Sequence, residues 1–377
     1  MSLIKFSYSE FENDPRYWVL QQCDFSAINL VVGRNATGKT RLINVVNALC
    51  RILSARQTGL PLTGTFQAEI CLSGKTYSLC LEFSDGKVAK ESLKVNGTER
   101  LSRDATGAGE IYYEAKGEVI RFQVPPTTIA IQQRQDELQH PFVVELSKWA
   151  LGCRTYFFGS SFGKDQIVGL ASLQLLLSQN ERPGDANDPL SVYMKAFNQF
   201  GAPFDEAVIK DMNMVGYDLT DVSAEDIRPL TPGLILAEPA IGLTVTERDR
   251  GVKLPQFHMS QGMFRALALI IHINASSFGK QRTLIMVDDV GEGLDFERSA
   301  KLIDLLINHA ERSNIQVIMT SNDRFVMNRI PLNYWSLLRR TGSNVHAYTE
   351  HNSPKEFEDF KYMGLSNFDF FTSDIFK

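Results

Sequence analysis

Residues 28–40 read I-N-L-V-V-G-R-N-A-T-G-K-T. The first five are almost continuously apolar, as in a parallel strand buried on both faces. The stretch T-R-L-I-N-V-V-N-A-L-C-R-I-L follows, apolar over most of its circumference, and predicts a buried central helix. Between strand and helix, Gly33 to Thr40 spell G-x-x-x-x-G-K-[ST]. Gly33 and Gly38 let the backbone curl so that several N–H groups point inward, and the helix N-terminus adds a positive dipole. In this context Gly33, Arg34, Asn35, Ala36, Thr37, Gly38, Lys39, Thr40 and Arg41 are candidates to hold a nucleotide's phosphates. Lys39 supplies a charge for the β- and γ-phosphates, and the Thr40 hydroxyl can ligate Mg²⁺.

Such a loop needs an acid at the end of a second buried strand. T-L-I-M-V-D-D (residues 283–289) supplies one: Asp288 as the metal partner, with Asp289 where a base or water-orienting group belongs. The plainer reading is that the two acids only cap a helix. F-E-R-S-A-K-L-I-D-L-L-I-N-H-A follows, with Leu302, Ile303, Leu305 and Leu306 on one face, and then I-Q-V-I-M-T-S. Two apolar strands joined by an amphipathic helix predict a right-handed crossover in a parallel sheet.

The 377 residues are enough for roughly two domains of about 150 residues. Apolar residues make up 44% and charged residues 22%, a globular mixture with ample core. A net charge of −5 argues against unspecific coating of nucleic acid, though not against a local basic groove. Five scattered cysteines without a C-x-x-C pair are expected as reduced thiols in a cytoplasmic protein. MSLIKF lacks a signal peptide's apolar region, and no run is long enough for a membrane helix.

The first third is rich in strand-like runs, from L-I-K-F-S-Y-S-E-F to E-V-I-R-F-Q-V. The middle is helical in period, with N-E-R-P-G-D-A-N-D-P (180–189) as a flexible segment. The expected domains are an N-terminal lobe with the phosphate loop (1–133), a helical insertion (134–230), a C-terminal lobe with the paired acids (231–350) and an aromatic tail (351–377).

Taken together, the motifs resemble those of ABC-type ATPase heads, the group shared by SMC, RecF and OLD-like proteins and by transporter nucleotide domains. G-R-N-A-T-G-K-T is similar to their Walker A, with Ala36 where many have Gly. M-S-Q-G-M-F-R (259–265) resembles their signature, L-I-M-V-D-D their Walker B, G-E-G-L-D (291–295) their D-loop and I-M-T-S-N-D (318–323) their switch strand. The resemblance implies an α/β P-loop NTPase of ABC-ATPase type with a β-rich N-terminal lobe, binding ATP and Mg²⁺. It implies that Ser260, Gln261, Gly262 and Asp295 serve a nucleotide held by a second copy, hence an ATP-dependent homodimer. Gln133, in I-A-I-Q-Q-R-Q-D-E (129–137), is the favoured glutamine for the metal, beside Gln132 and Gln135.

Two departures bear on catalysis. Asp289 stands where the family usually has Glu, and Asn322 replaces its switch His. A carboxylate displaced by about 1 Å can cost on the order of 100-fold in rate. An amide can hydrogen-bond but cannot carry a proton. Lys39, Asp289 and Asn322 are therefore the catalytic candidates of a slow site.

Weaker signals remain. G-S-S-F-G (159–163) matches a nucleophile elbow at Ser161, without visible triad partners. His346 and His351 have no ordinary metal spacing. Arg134, Arg154, Arg324, Arg339 and Arg340 are candidates for phosphate or nucleic-acid contact. The tail's Phe357, Phe360, Tyr362, Phe368, Phe370, Phe371 and Phe376 dock on their own head or on a partner.

Three functions are weighed. One is a switch gating a separately encoded effector, as in bacterial defence operons. Another is a RecF-like DNA-repair ATPase, and the third a nucleotide-bound scaffold without turnover. No membrane association is expected.

Overall fold

The computed structural model describes residues 3–57, 59–169, 188–231, 239–280 and 282–373. The chain forms two compact units, Met1–Cys153 with Ile330–Lys377, and Arg154–Arg329.

In the first unit, β1 (Leu3–Glu10), β2 (Trp18–Asp24) and β3 (Ile28–Gly33) precede helix α1 (Lys39–Leu53). The run β4 (Gly64–Leu72), β5 (Lys75–Ser84), β6 (Lys87–Val95), β7 (Thr98–Arg103), β8 (Ala108–Tyr113) and β9 (Glu118–Gln123) is an antiparallel meander. Its side chains alternate inward and outward, as a half-buried sheet requires. Three of its turns place two successive residues at positive φ: Ser73-Gly74, Asp85-Gly86 and Asn96-Gly97. Tight hairpins of type I′ need that geometry.

Strand β3 is buried throughout, as its apolar run predicts. It pairs in parallel with β17 (Trp335–Thr341), which continues antiparallel into β18 (Asn344–Thr349). Strand β18 then pairs in parallel with β2. Two further helices, α2 (Ala130–Gln133) and α3 (Pro141–Leu151), pack on α1.

The tail docks on its own unit. Phe357, Phe360 and Phe370 are buried, Phe370 lies 6.4 Å from the Trp335 ring, and Arg339 donates to the carbonyls of Phe371 and Ser373. Tyr362, Met363 and Leu365 stay exposed, and Phe376 lies outside the described residues. All five cysteines are free thiols.

In the second unit, β10 (Arg154–Phe157), β15 (Thr283–Asp288) and β16 (Ile315–Thr320) form a parallel array in the order 10-15-16. Both β15 and β16 are buried at every residue. Their connecting helix, Phe296–Arg312, buries Leu302, Ile303, Leu305 and Leu306, the predicted face.

Helix Gln261–Phe278 is buried without a break from Gly262 to Asn274. Helices Pro189–Phe200 and Ala202–Val215 pack against it. Asp211 pins this junction: it accepts from Asn274 (2.7 Å) and contacts His309 Nε2 (2.9 Å).

Strand β13 (Ala240–Glu247) carries β11 (Val168–Gly169), β12 (Leu219–Asp226) and β14 (Lys253–Pro255) as partners. The stretch 134–230 therefore holds strands as well as helices. The segment 180–189 falls almost wholly outside the described residues.

Candidate nucleotide site

The first unit presents the phosphate loop. Its shape depends on small residues. A Cβ on Gly33 would lie 2.4 Å from Thr37 Oγ1 and 3.1 Å from the Leu338 carbonyl oxygen. Ala36 and Gly38 have φ of 65° and 107°, both left-handed. That explains why the resembling family favours glycine at the Ala36 position: alanine pays a steric cost there that glycine does not. Thr37 closes the turn by donating its hydroxyl and its N–H to the Arg34 carbonyl.

Gly38 is the N-cap of α1 and offers no side-chain acceptor, and the first turn of α1 holds no acid. The first-turn N–H groups of a helix have no partners within it. An anion is the partner that both the dipole and these donors favour. Lys39 is buried, and its Nζ donates to the Gly33 carbonyl across the loop at 2.8 Å. Arg34, Asn35, Ala36 and Thr40 are exposed on the rim.

Two side chains outside the motif hold the loop. Trp18 is buried beneath it, close enough that a Cβ on Gly38 would approach its ring to 3.1 Å. Arg340 donates to the Ala36 carbonyl at 3.1 Å, so this candidate arginine supports the loop from strand β17. Arg41 stacks on the Trp18 ring at 4.4 Å and pairs with Glu10. Of the three glutamines, Gln132 donates to the Ile52 carbonyl at 2.6 Å. Gln133 follows it with an exposed side chain.

The second unit presents the acids. Asp288 ends β15 almost fully buried, and its Oδ1 accepts the Thr320 hydroxyl at 2.6 Å. The same hydroxyl accepts the Asp289 N–H at 2.8 Å. Asp289 therefore sits on a pinned backbone, with φ of 52°. Its residue, with Glu292, Ser321 and Asn322, lines a cavity of about 570 Å³. Asp323, beside Asn322, caps the next helix by accepting from the Phe325 and Val326 N–H groups.

The signature and D-loop interlock. Ser260 caps helix Gln261–Phe278 by accepting the Met263 N–H at 3.2 Å. A Cβ on Gly262 would lie 2.7 Å from the Gly293 carbonyl oxygen, and one on Gly293 would lie 2.5 Å from Arg265 Nη1. Arg265 is the residue that sequence reasoning missed. It is buried and donates to the carbonyls of Ser160 and Glu292, both at 3.0 Å. Burial pushes its guanidinium below the usual range, with Glu292 opposing. Its signal was a charged residue opening the apolar run R-A-L-A-L-I-I-H-I.

Gln261 also donates to the Ser160 carbonyl. The G-S-S-F-G loop is thus an anchor for the signature helix through its backbone. Asp295 caps helix Phe296–Arg312, and the Arg298 backbone N–H it accepts is the first cause that holds its carboxyl below the usual range.

Replacing Gly262 by alanine is expected to destabilise the protein by about 1–3 kcal/mol, because Cβ and the Gly293 backbone cannot share that space. Thermal unfolding beside Gly59→Ala, where an added Cβ meets nothing within 4 Å, measures the difference.

In the first unit, the uncapped N–H groups and Lys39 suit phosphate oxygens, and the Thr40 hydroxyl is a hard oxygen ligand for a small cation. In the second, the Asp288 carboxylate is a ligand of the same kind. Among the described residues, no group of three or more His, Cys, Asp or Glu could hold a metal by itself.

Comparison with known proteins decides the family. The sequence profile of the family described as "AAA domain, putative AbiEii toxin, Type IV TA system" matches residues 131–328, more than half of the chain. The chain belongs to this family. The match spans residues 259–265, 288–289, 291–295 and 318–323 of this AAA-family ATPase.

Its fold is that of SMC heads. It is similar to an SMC head bound to the C-winged helix domain of ScpA, at TM-score 0.56 and 13% identity over 92% of this chain and 96% of that one. It is also similar to the Smc head domain with an extended coiled coil bound to the C-terminal domain of ScpA, from Pyrococcus furiosus. There the TM-score is 0.52 and identity 11%, over 96% of this chain and all of that one. No curated protein matches the sequence. Among the described residues no helix is long and apolar enough to cross a membrane.

Proposed function

We propose that this AAA-family ATPase binds ATP with Mg²⁺, hydrolyses it slowly, and acts as a dimeric switch for a separately encoded effector in the bacterial cytoplasm. The observation that carries the reading is the phosphate loop. Its left-handed Ala36 and Gly38, buried Lys39 and uncapped α1 together form an anion cradle. Lys39 and the loop amides hold the phosphates. Thr40, Asp288 and Gln133 serve the metal, Asp289 accepts the proton of the attacking water, and Asn322 orients it. The metal, when bound, neutralises charge developing on the phosphates.

The signature supports a partner copy. Ser260 and Gly262 stand at a second helix N-terminus, and one γ-phosphate does not need two such cradles from one chain. A two-fold dimer gives each phosphate loop its partner's signature. Asp289 and Asn322 support slowness. The family's description names a toxin and a toxin–antitoxin system, which supports a switch tied to a toxic effector; the antiviral defence setting is part of the proposal.

Steady-state ATP hydrolysis should rise faster than linearly with protein concentration and vanish in Ser260→Arg. Mixing Lys39→Ala with Ser260→Arg in equal parts should restore about a quarter of wild-type turnover. Half of the dimers are then mixed, and each holds one intact site of two. Linear kinetics without complementation would remove the dimer from the proposal. Mg²⁺-dependent ATP binding with no turnover at all would make the protein a nucleotide-bound scaffold.

A further inference from the structure

Strand β6 carries an acid on its buried face. Glu91 is fully buried, and directly opposite it on β7 lies Arg103, also buried. Their side chains approach to 3.4 Å. Both turn toward one short segment. Glu91 Oε2 accepts the Ala130 N–H and Oε1 the Ile131 N–H, each at 2.8 Å. Those N–H groups open helix α2, whose own N-cap residue, Ile129, offers no side-chain acceptor. Arg103 donates to the carbonyls of Thr128 and, at 3.0 Å, Pro125. From the other side Gln132 is tied to α1 through Ile52. Gln133 leaves this clasp with its side chain exposed.

A buried ion pair is a weak source of stability, because desolvation offsets its attraction. A single helical turn is marginal without outside support. Here the pair supplies that support by satisfying four backbone groups of residues 125–131.

We propose that Glu91, held by Arg103, is a positioning residue that sets the reach of Gln133 toward the nucleotide's metal. This rests on the reading above that Gln133 serves that metal. Losing the cap frees the turn, and displacement of about 1 Å is enough to forfeit such a contact.

The test needs no turnover. Affinity for a fluorescent ATP analogue is measured with and without Mg²⁺ in wild type, Gln133→Ala, Glu91→Gln and the double variant. Gln133→Ala should reduce the Mg²⁺-dependent gain in affinity by about tenfold. Glu91→Gln should reduce the gain similarly while leaving Mg²⁺-free affinity unchanged, and the double variant should be no worse than Gln133→Ala. Should Glu91→Gln yield no folded protein, Arg103→Lys carries the same expectation.

A normal gain in Gln133→Ala overturns the role of Gln133 and this inference with it. A reduced gain in Gln133→Ala beside a normal one in Glu91→Gln overturns the inference alone. Equal losses with and without Mg²⁺ in Glu91→Gln mark a general structural effect and also overturn it.

Discussion

Replacing Lys39 by alanine is expected to bring ATP hydrolysis to background and weaken ATP binding by at least about 100-fold. The ammonium is already aimed into the loop. It spans from the start of α1 to the Gly33 carbonyl, with only 7% of the residue exposed. No acid in the first turn of α1 competes for it. A phosphate entering this cradle therefore meets a fixed charge, and charge-assisted hydrogen bonds are about twice as strong as neutral ones. The loop itself should survive the change. Its turn is closed by Thr37 and Arg34, and its flanks are held by Trp18 and Arg340. Calorimetric titration with ATP and Mg²⁺, beside a thermal melt, separates the two effects. A folded Lys39→Ala protein that binds within threefold of wild type would remove the phosphate-loop assignment.

The parts of this cradle legible in the sequence are those whose determinants are local. Strand β3, the glycine loop and α1 follow one another, so one pattern reports all three. The same holds for β15, its following helix and β16, where continuous apolar strands flank an amphipathic repeat. What stayed hidden depends on residues far apart in the chain. Strand β17 pairs with β3 from some three hundred positions away, and Arg339 and Arg340 at its end read only as candidates for phosphate or nucleic-acid contact.

The short, polar β7 also went unread, although Asn96-Gly97 just before it is a strong hairpin signal. In the same region Glu91 stands among Val88, Leu93 and Val95, the buried residues of β6. An acid on a buried strand face signals a partner, but not which one. The helix caps made by Ser260 and Asp295 were readable as polar residues before apolar runs. A nucleotide role for the same side chains rests on the family resemblance.

The second large effect concerns Asp289. Asp289→Glu is expected to raise turnover by about 10–100-fold, and Asp289→Asn to lower it by at least about 100-fold. The backbone here cannot advance to compensate for a short side chain. The Asp289 N–H is held by Thr320 Oγ1, and the next residue's N–H by the Thr320 carbonyl. The Thr320 hydroxyl is in turn fixed on Asp288. Reach must therefore come from the side chain, and one more methylene adds about 1.5 Å. The cavity of about 570 Å³ beside it leaves room for that length.

The positive φ of Asp289 explains what aspartate offers in return. That region tolerates Asp far better than longer residues, so the glutamate variant should also lose a little stability. Single-turnover hydrolysis with enzyme in excess reads the chemical step free of product release. Faster chemistry in Asp289→Glu means that the wild-type site holds ATP for longer than its fold requires, as a timer does. Slower chemistry would mean that the site is shaped around aspartate. Asp289 would then be a fully competent base, and the slow-switch reading would lose its chemical ground.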